Sequence, residues 1–157
     1  MVAFESVKIF FHFLHLLGGI TTVAVCVHLL VRTLRLVSTG NHWAQQVRLH
    51  ALTLLIAYAV TFACGAIIYP TFRVRVRAEF MDHTMPWVTG LFEIKEHAAS
   101  IMLFPVLGIF ILSRVVDLRE KPDRVYASLF IGLIALVLTV VVFNAGVGWY
   151  LGAVRSS

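Results

Sequence analysis

Residues Val125–Leu151 read VYASLFIGLIALVLTVVVFNAGVGWYL, a stretch without a single Asp, Glu, Lys, Arg or His. As a helix rising about 1.5 Å per residue, it reaches about 40 Å, more than the roughly 30 Å hydrocarbon core of a bilayer. Ile9–Val31, Leu49–Tyr69 and Ala98–Val116 have the same character. Helix is the expected conformation, because backbone in lipid must satisfy its own hydrogen bonds and no run shows the period-two alternation of a barrel strand. The expected fold class is all-α: an integral membrane four-helix bundle forming one transmembrane domain over residues 1–157, with both termini on the same side.

Composition agrees. The chain is 60% hydrophobic and 13% charged, with mean hydropathy +0.91, against about 25% charged residues in soluble domains. Its net charge of +5 sits in short basic patches between apolar runs, where juxtamembrane Lys and Arg meet anionic headgroups. The lipid bilayer is thus the expected partner, and nucleic acid is not. The first run is longer than the roughly 7–15 residues of a signal-peptide core, so it is expected to remain as a span. Cys26 and Cys64 fall within apolar runs at opposite membrane halves and read as small buried hydrophobes.

Tyr69-Pro70 is expected to close the second span, Pro105 to kink the third, and Tyr126, Trp149 and Tyr150 to anchor the fourth at the interfaces. The connection over residues 70–91 begins with FRVRVR (72–77), whose basic/apolar alternation is strand-like and is expected to lie along the headgroups. The termini, this connection and Lys8, Arg73, Arg75, Arg77, Lys95 and Arg155 share one side. Arg32, Arg35, Arg48, Arg114, Arg119, Lys121 and Arg124 occupy the other, around two short loops. Short basic loops weigh most in orientation. That side is expected to be cytoplasmic and the termini periplasmic, in a bacterial inner (plasma) membrane.

Histidines supply the candidate chemistry, since ionisable groups inside a membrane are costly and mark function. Measured from each span's centre, His28 and His50 lie about 12–14 Å toward the cytoplasmic side. His12, His15 and His97 lie about 12, 7–8 and 15 Å toward the other. Two layers result, His28 with His50 and His97 with His15 or His12. Imidazole is also the usual nitrogen ligand of haem iron. On these depth-matched histidines the chain resembles membrane-embedded b-type cytochromes of the four-helix kind. The resemblance implies bis-histidine haem b, one or two per chain, and electron transfer between a quinone pool and a partner. It implies metal ligation by His15, His97, His28 and His50. Arg32, Arg48, Arg73 and Lys95 are the available propionate partners, and Asn144 is a hydrogen-bond partner for a histidine or a quinone carbonyl. Two features depart from the pattern: His15 and His28 point about 140° apart on their helix, and the fourth span has no histidine. Gly18, Gly19, Gly65, Gly146 and Gly148 cluster toward the His15 half, leaving room for a macrocycle or simply for close helix packing.

The segment FEIKEH (92–97) is read as the first turn of the third span, where the helix dipole favours Glu93 and Glu96. Glu93 and His97 share a face at a spacing of four, so these carboxylates are also candidates for catalytic proton transfer beside a quinol. Two readings rival the cytochrome: a cofactor-free accessory subunit of a larger membrane complex, and a metal- or proton-coupled protein using Glu93, Glu96 and His97. Quinone and other membrane or redox subunits are the further expected partners. No nucleophile constellation, phosphate-binding glycine loop or zinc-ligand spacing is present.

Overall fold

The computed structural model describes residues 2–39, 44–116 and 123–156; Arg119 and Lys121 lie outside them. The described chain is helical: α1 Val2–Thr39, α2 Ala44–Phe72, a π-helix π1 Arg73–Met81, a single turn α3 Asp82–Thr84, α4 Pro86–Val115 and α5 Arg124–Ser156. Four of these helices, α1, α2, α4 and α5, are long and apolar enough to cross a membrane.

Each long helix packs on two others, in the ring order α1–α2–α4–α5; among the described residues no Cα atoms approach within 8 Å across either diagonal. The seams follow alternating steps of three and four residues: Cys26, Leu29, Thr33 and Leu36 on α1; Ala44, Val47, Ala51, Leu54 and Tyr58 on α2. Met102, Val106, Ile109 and Ser113 on α4, and Ala127, Phe130, Ile134, Val137 and Val141 on α5, repeat it. A 3.5-residue period keeps one stripe of each helix against its neighbours. Buried hydroxyls on these seams donate to their own helix, Thr33 Oγ1 to Leu29 O at 2.8 Å and Ser113 Oγ to Phe110 O at 2.7 Å. Outward positions are as apolar as inward ones: Phe13, Leu16, Ile20, Ile56, Ile67, Phe104 and Val142 are exposed. So much contiguous apolar surface suits lipid, not water. Cys26 and Cys64 are buried free thiols.

Two expectations about the ends of spans are overturned. Pro70 does not close the second span: α2 continues through it to Phe72, and FRVRVR is helical, its arginines lying in π1. Proline withholds the N–H that would bond the Ala66 carbonyl and crowds that carbonyl; beyond it the chain widens, with Asp82 N–H donating to Arg77 O, five residues back. π1 is held by packing: Val76 and Met81 are buried with Val88 and Phe92 of α4 and Val147 and Leu151 of α5. Phe72 stacks on Phe92 with ring centroids 4.4 Å apart. The second correction concerns α4, which starts at Pro86, a residue type suited to the first helical position. FEIKEH therefore begins in the second turn of the helix, and the dipole explanation of Glu93 and Glu96 falls away, since that effect is confined to the first turn.

Candidate functional site

A cavity of about 250 Å³ lies among all four long helices, lined by the first halves of α1 and α4 and the second halves of α2 and α5. His15, Gly19 and Thr22 come from α1, and Tyr58, Thr61, Phe62, Gly65, Ala66 and Tyr69 from α2. Lys95, Glu96, Ala99 and Ser100 of α4 and Val141, Asn144 and Ala145 of α5 complete the wall.

His15 is placed by a seam that small residues bring close. A Cβ on Gly18 would collide with the Thr61 hydroxyl, and one on Gly65 would stand 3.1 Å from His15 Cε1 and 3.3 Å from His15 Nδ1. The missing side chain at 65 lets the imidazole reach over α2 and donate from Nδ1 to Thr61 O at 2.8 Å. A neutral ring that donates from Nδ1 keeps its lone pair on Nε2. On α4, Lys95 Nζ donates to Glu96 Oε1 at 2.9 Å and lies 5.5 Å from the Phe92 ring centroid. Its stem passes α5 where Gly148 lacks a side chain, a Cβ there being 3.8 Å from Lys95 Cε. Asn144 contributes a buried Oδ1 that has no hydrogen-bond partner.

Four of the wall's hydroxyls donate to helix carbonyls. Thr22 Oγ1 donates to Gly18 O at 2.8 Å, Thr61 Oγ1 to Ala57 O at 2.7 Å and Ser100 Oγ to Glu96 O at 3.0 Å. Tyr58 OH crosses from α2 to α4 and donates to Ala99 O at 2.7 Å. Sequence reasoning passed over these four residues. Thr and Ser inside spans commonly bond their own helix, so nothing in the sequence separates the cavity-facing ones from Thr33 or Ser113.

The expected His15–His97 pair does not form. His97 is exposed, and its Nδ1 donates to Glu93 O at 2.7 Å. Matched depth is insufficient when azimuth differs: Lys95, Glu96, Ala99 and Ser100 form the inward stripe of α4, and position 97 falls off it. His12 is likewise exposed and outside the wall, donating from Nδ1 to Lys8 O at 3.1 Å. By contrast, α1 and α2 bring His28 and His50 together, ring centroids 6.1 Å apart and planes 18° from parallel. Each donates from Nδ1 to the carbonyl four residues back, Ala24 O at 2.8 Å and Gln46 O at 2.7 Å. That fixes the tautomer of the neutral ring and leaves a lone pair on each Nε2.

Metal–nitrogen bonds of about 2 Å place two imidazole centroids about 6 Å apart across one ion, which is the spacing of this pair. It does not fit a haem enclosed in the bundle. Leu29, Val47, Ala51 and Leu54 beside it are fully buried and close the α1–α2 seam. A macrocycle held there would stand on the outer face, where His28 is exposed. Nor does the cavity fit a second one, being below the roughly 300–1,000 Å³ of ordinary ligand pockets.

The other named charges have structural engagements. Arg48 Nε donates to Ser113 O at 3.1 Å and Nη2 to Val116 O at 3.5 Å, capping the end of α4. Glu93 is held by Arg77 Nη2 at 2.7 Å, and Arg77 Nε lies 3.7 Å from Asp82 Oδ1, itself bonded by Thr89 Oγ1 at 2.7 Å. Glu93 thus faces π1 and not the cavity. Arg73 is exposed on π1, and Arg32 is half-buried one turn after His28. Among the described residues, no three His, Cys, Asp or Glu side chains gather as a metal group. The sequence matches no protein-family model, and no curated protein or solved structure is significantly similar to it.

Proposed function

We propose that this chain is an integral membrane protein, both termini on one side, that binds the ring head group of a quinone-pool lipid in the cavity and exchanges protons with it. The observation that carries this reading is the placement of His15, Lys95, Glu96 and Asn144 around one cavity among four membrane-length helices. Polar and ionisable groups facing the interior of such a bundle are expensive, and the default account of them is a ligand or proton path. Size agrees. A cavity of about 150 Å³ takes benzene, so 250 Å³ suits one substituted aromatic ring, its isoprenoid-like tail running out to lipid. Tyr69, Phe62 and Val141 would pack on the ring; His15 Nε2 and Asn144 would address its oxygens; Glu96, partly exposed, would pass a proton toward the water boundary.

The test is equilibrium binding of a decyl-tailed benzoquinone, in both redox states, to the purified protein in mild detergent. Saturable binding of either form at one site per chain, weakened at least about fivefold by His15→Phe, supports the reading. Uptake that never saturates beyond partition into the micelle refutes it.

A second reading rests on the His28–His50 geometry. These residues would hold one b haem on the outer face of α1 and α2, and such a group would supply one-electron chemistry. A dithionite-reduced spectrum with a sharp α band, lost in His28→Ala, supports it; a preparation that stays colourless with haem supplied rejects it.

A further inference from the structure

We propose that the cavity takes its ligand sideways from the bilayer, through a slit between α2 and α4, and that the ligand's apolar tail stays outside along Ala59, Leu103 and Leu107. This rests on the quinone-pool reading above and adds the route, which restricts the site to molecules dissolved in the membrane.

Two contacts pin α2 to α4. Tyr58 OH donates to Ala99 O at 2.7 Å, and the Tyr69 ring lies 4° from parallel to that of Phe92, with centroids 6.0 Å apart. Phe92 and Ala99 are about 10 Å apart along α4, room for a six-membered ring to pass between the pins. Phe62 and Ala66 frame this gap on α2, and Glu96 and Ser100 frame it on α4; all four line the cavity. Ala66 and Ser100 are also exposed, and the Glu96 side chain is 38% exposed. A wall residue that is exposed as well stands where the cavity reaches the surface.

The other sides are covered. Between α1 and α2, the His15–Thr61 bond and the close approach of Gly18 to Thr61 shut the wall. Between α4 and α5, the Lys95 stem lies against Gly148. Ala145 of α5 is exposed, but it points about 160° away from Val147, which packs toward α4, so Ala145 belongs to the α1 side. There His15 and Gly19 are half-buried and Thr22 is buried, so α1 adds no exposed wall residue to it.

The slit continues into an apolar track. Glu93, Glu96, Ser100, Leu103 and Leu107 recur at steps of three and four, which keeps them on one flank of α4. Glu93 identifies that flank, because Arg77 of π1 holds it, and π1 directly follows α2. Along the stripe the side chains pass from carboxylate through hydroxyl to hydrocarbon, ending at Leu107, which is 44% exposed. Ala59, seven residues before Ala66 and on the same stripe of α2, is exposed opposite them. A polar ring can thus enter the cavity while its tail never leaves hydrocarbon, whereas entry from water would draw every methylene of the tail through an aqueous phase.

The experiment uses the intact protein in detergent and a benzoquinone whose decyl tail ends in a nitroxide. The spin label should broaden the methyl NMR signals of Ala59, Leu103 and Leu107, and excess unlabelled decyl benzoquinone should restore them. Reversible broadening centred on Ala145 and Val142 instead overturns the route and leaves the binding reading standing. Broadening of neither set, or broadening that the competitor does not reverse, overturns both. Ala66→Phe, with its fold checked by circular dichroism, should slow association of decyl benzoquinone by at least about tenfold and slow dissociation by a similar factor, so that affinity changes little. A side chain that only crowded the cavity would speed dissociation and weaken affinity, and that result overturns the slit.

Discussion

Gly65→Ala is the most informative single change, because two opposing effects can both be sized. Alanine is better than glycine inside a helix by about 0.8–1.0 kcal/mol. A methyl at position 65 would also stand 3.1 Å from His15 Cε1, so the imidazole must retreat by a few tenths of an ångström. Its 2.8 Å bond to Thr61 O would lengthen, at a cost of about 0.6–1 kcal/mol for an interhelical bond of this kind. Net stability should therefore hardly change. Gly132→Ala is the control: that glycine is exposed on α5, with nothing within 4 Å of where the new methyl would stand, and it should show only the propensity gain. Thermal unfolding in one detergent should put Gly132→Ala about 2–4 °C above Gly65→Ala, the shift for about 1 kcal/mol in a chain of this size. Quinol binding should weaken about fivefold in Gly65→Ala, the equivalent of 1 kcal/mol, and stay unchanged in Gly132→Ala. Identical melting and identical binding for the two variants would refute the role assigned to Gly65.

Three further outcomes are expected. Gly18→Ala should destabilise the α1–α2 seam by about 1–3 kcal/mol through overpacking, and adding Thr61→Ala, which removes the colliding hydroxyl, should restore most of it in chemical denaturation. Arg48→Ala should cost about 2 kcal/mol by freeing the carbonyls of Ser113 and Val116, with Arg48→Lys intermediate because an ammonium lacks the guanidinium fork; melting temperature reads both. Arg77→Gln should cost less than about 1 kcal/mol, since Glu93 is 46% exposed, and the difference from wild type should shrink in about 1 M salt, where screening acts within about 3 Å.

The long helices were legible because span length and apolarity are one-dimensional properties. Val125–Leu151 announces a membrane helix without reference to any other residue. Half of the site was legible for a related reason: His15, Lys95, Glu96 and Asn144 are polar groups in apolar surroundings, and Gly65 is an absence of bulk on the same half of the bundle. Azimuth was not. His15 and His97 lie in the same half of the bundle, yet whether a side chain meets the cavity depends on which stripe of its helix the neighbours cover, and only packing decides that. His28 and His50 meet because both lie along one seam. The π-helical turn after Pro70 was hidden because FRVRVR alternates like a strand, while Val76 and Met81 are held by burial against Phe92 and Val147, partners far away in sequence.

Photoaffinity mapping with an azido-substituted quinol analogue tests the central claim most directly, because it reports where the ring sits without relying on any variant. Cross-links should concentrate on peptides carrying residues 15–22, 58–69, 95–100 and 141–145, and excess unlabelled quinol should suppress them. Labelling spread over the exposed faces of Phe13, Ile56 and Phe104, and indifferent to competitor, would show that the ligand merely dissolves in the surrounding lipid and that the cavity does not bind it.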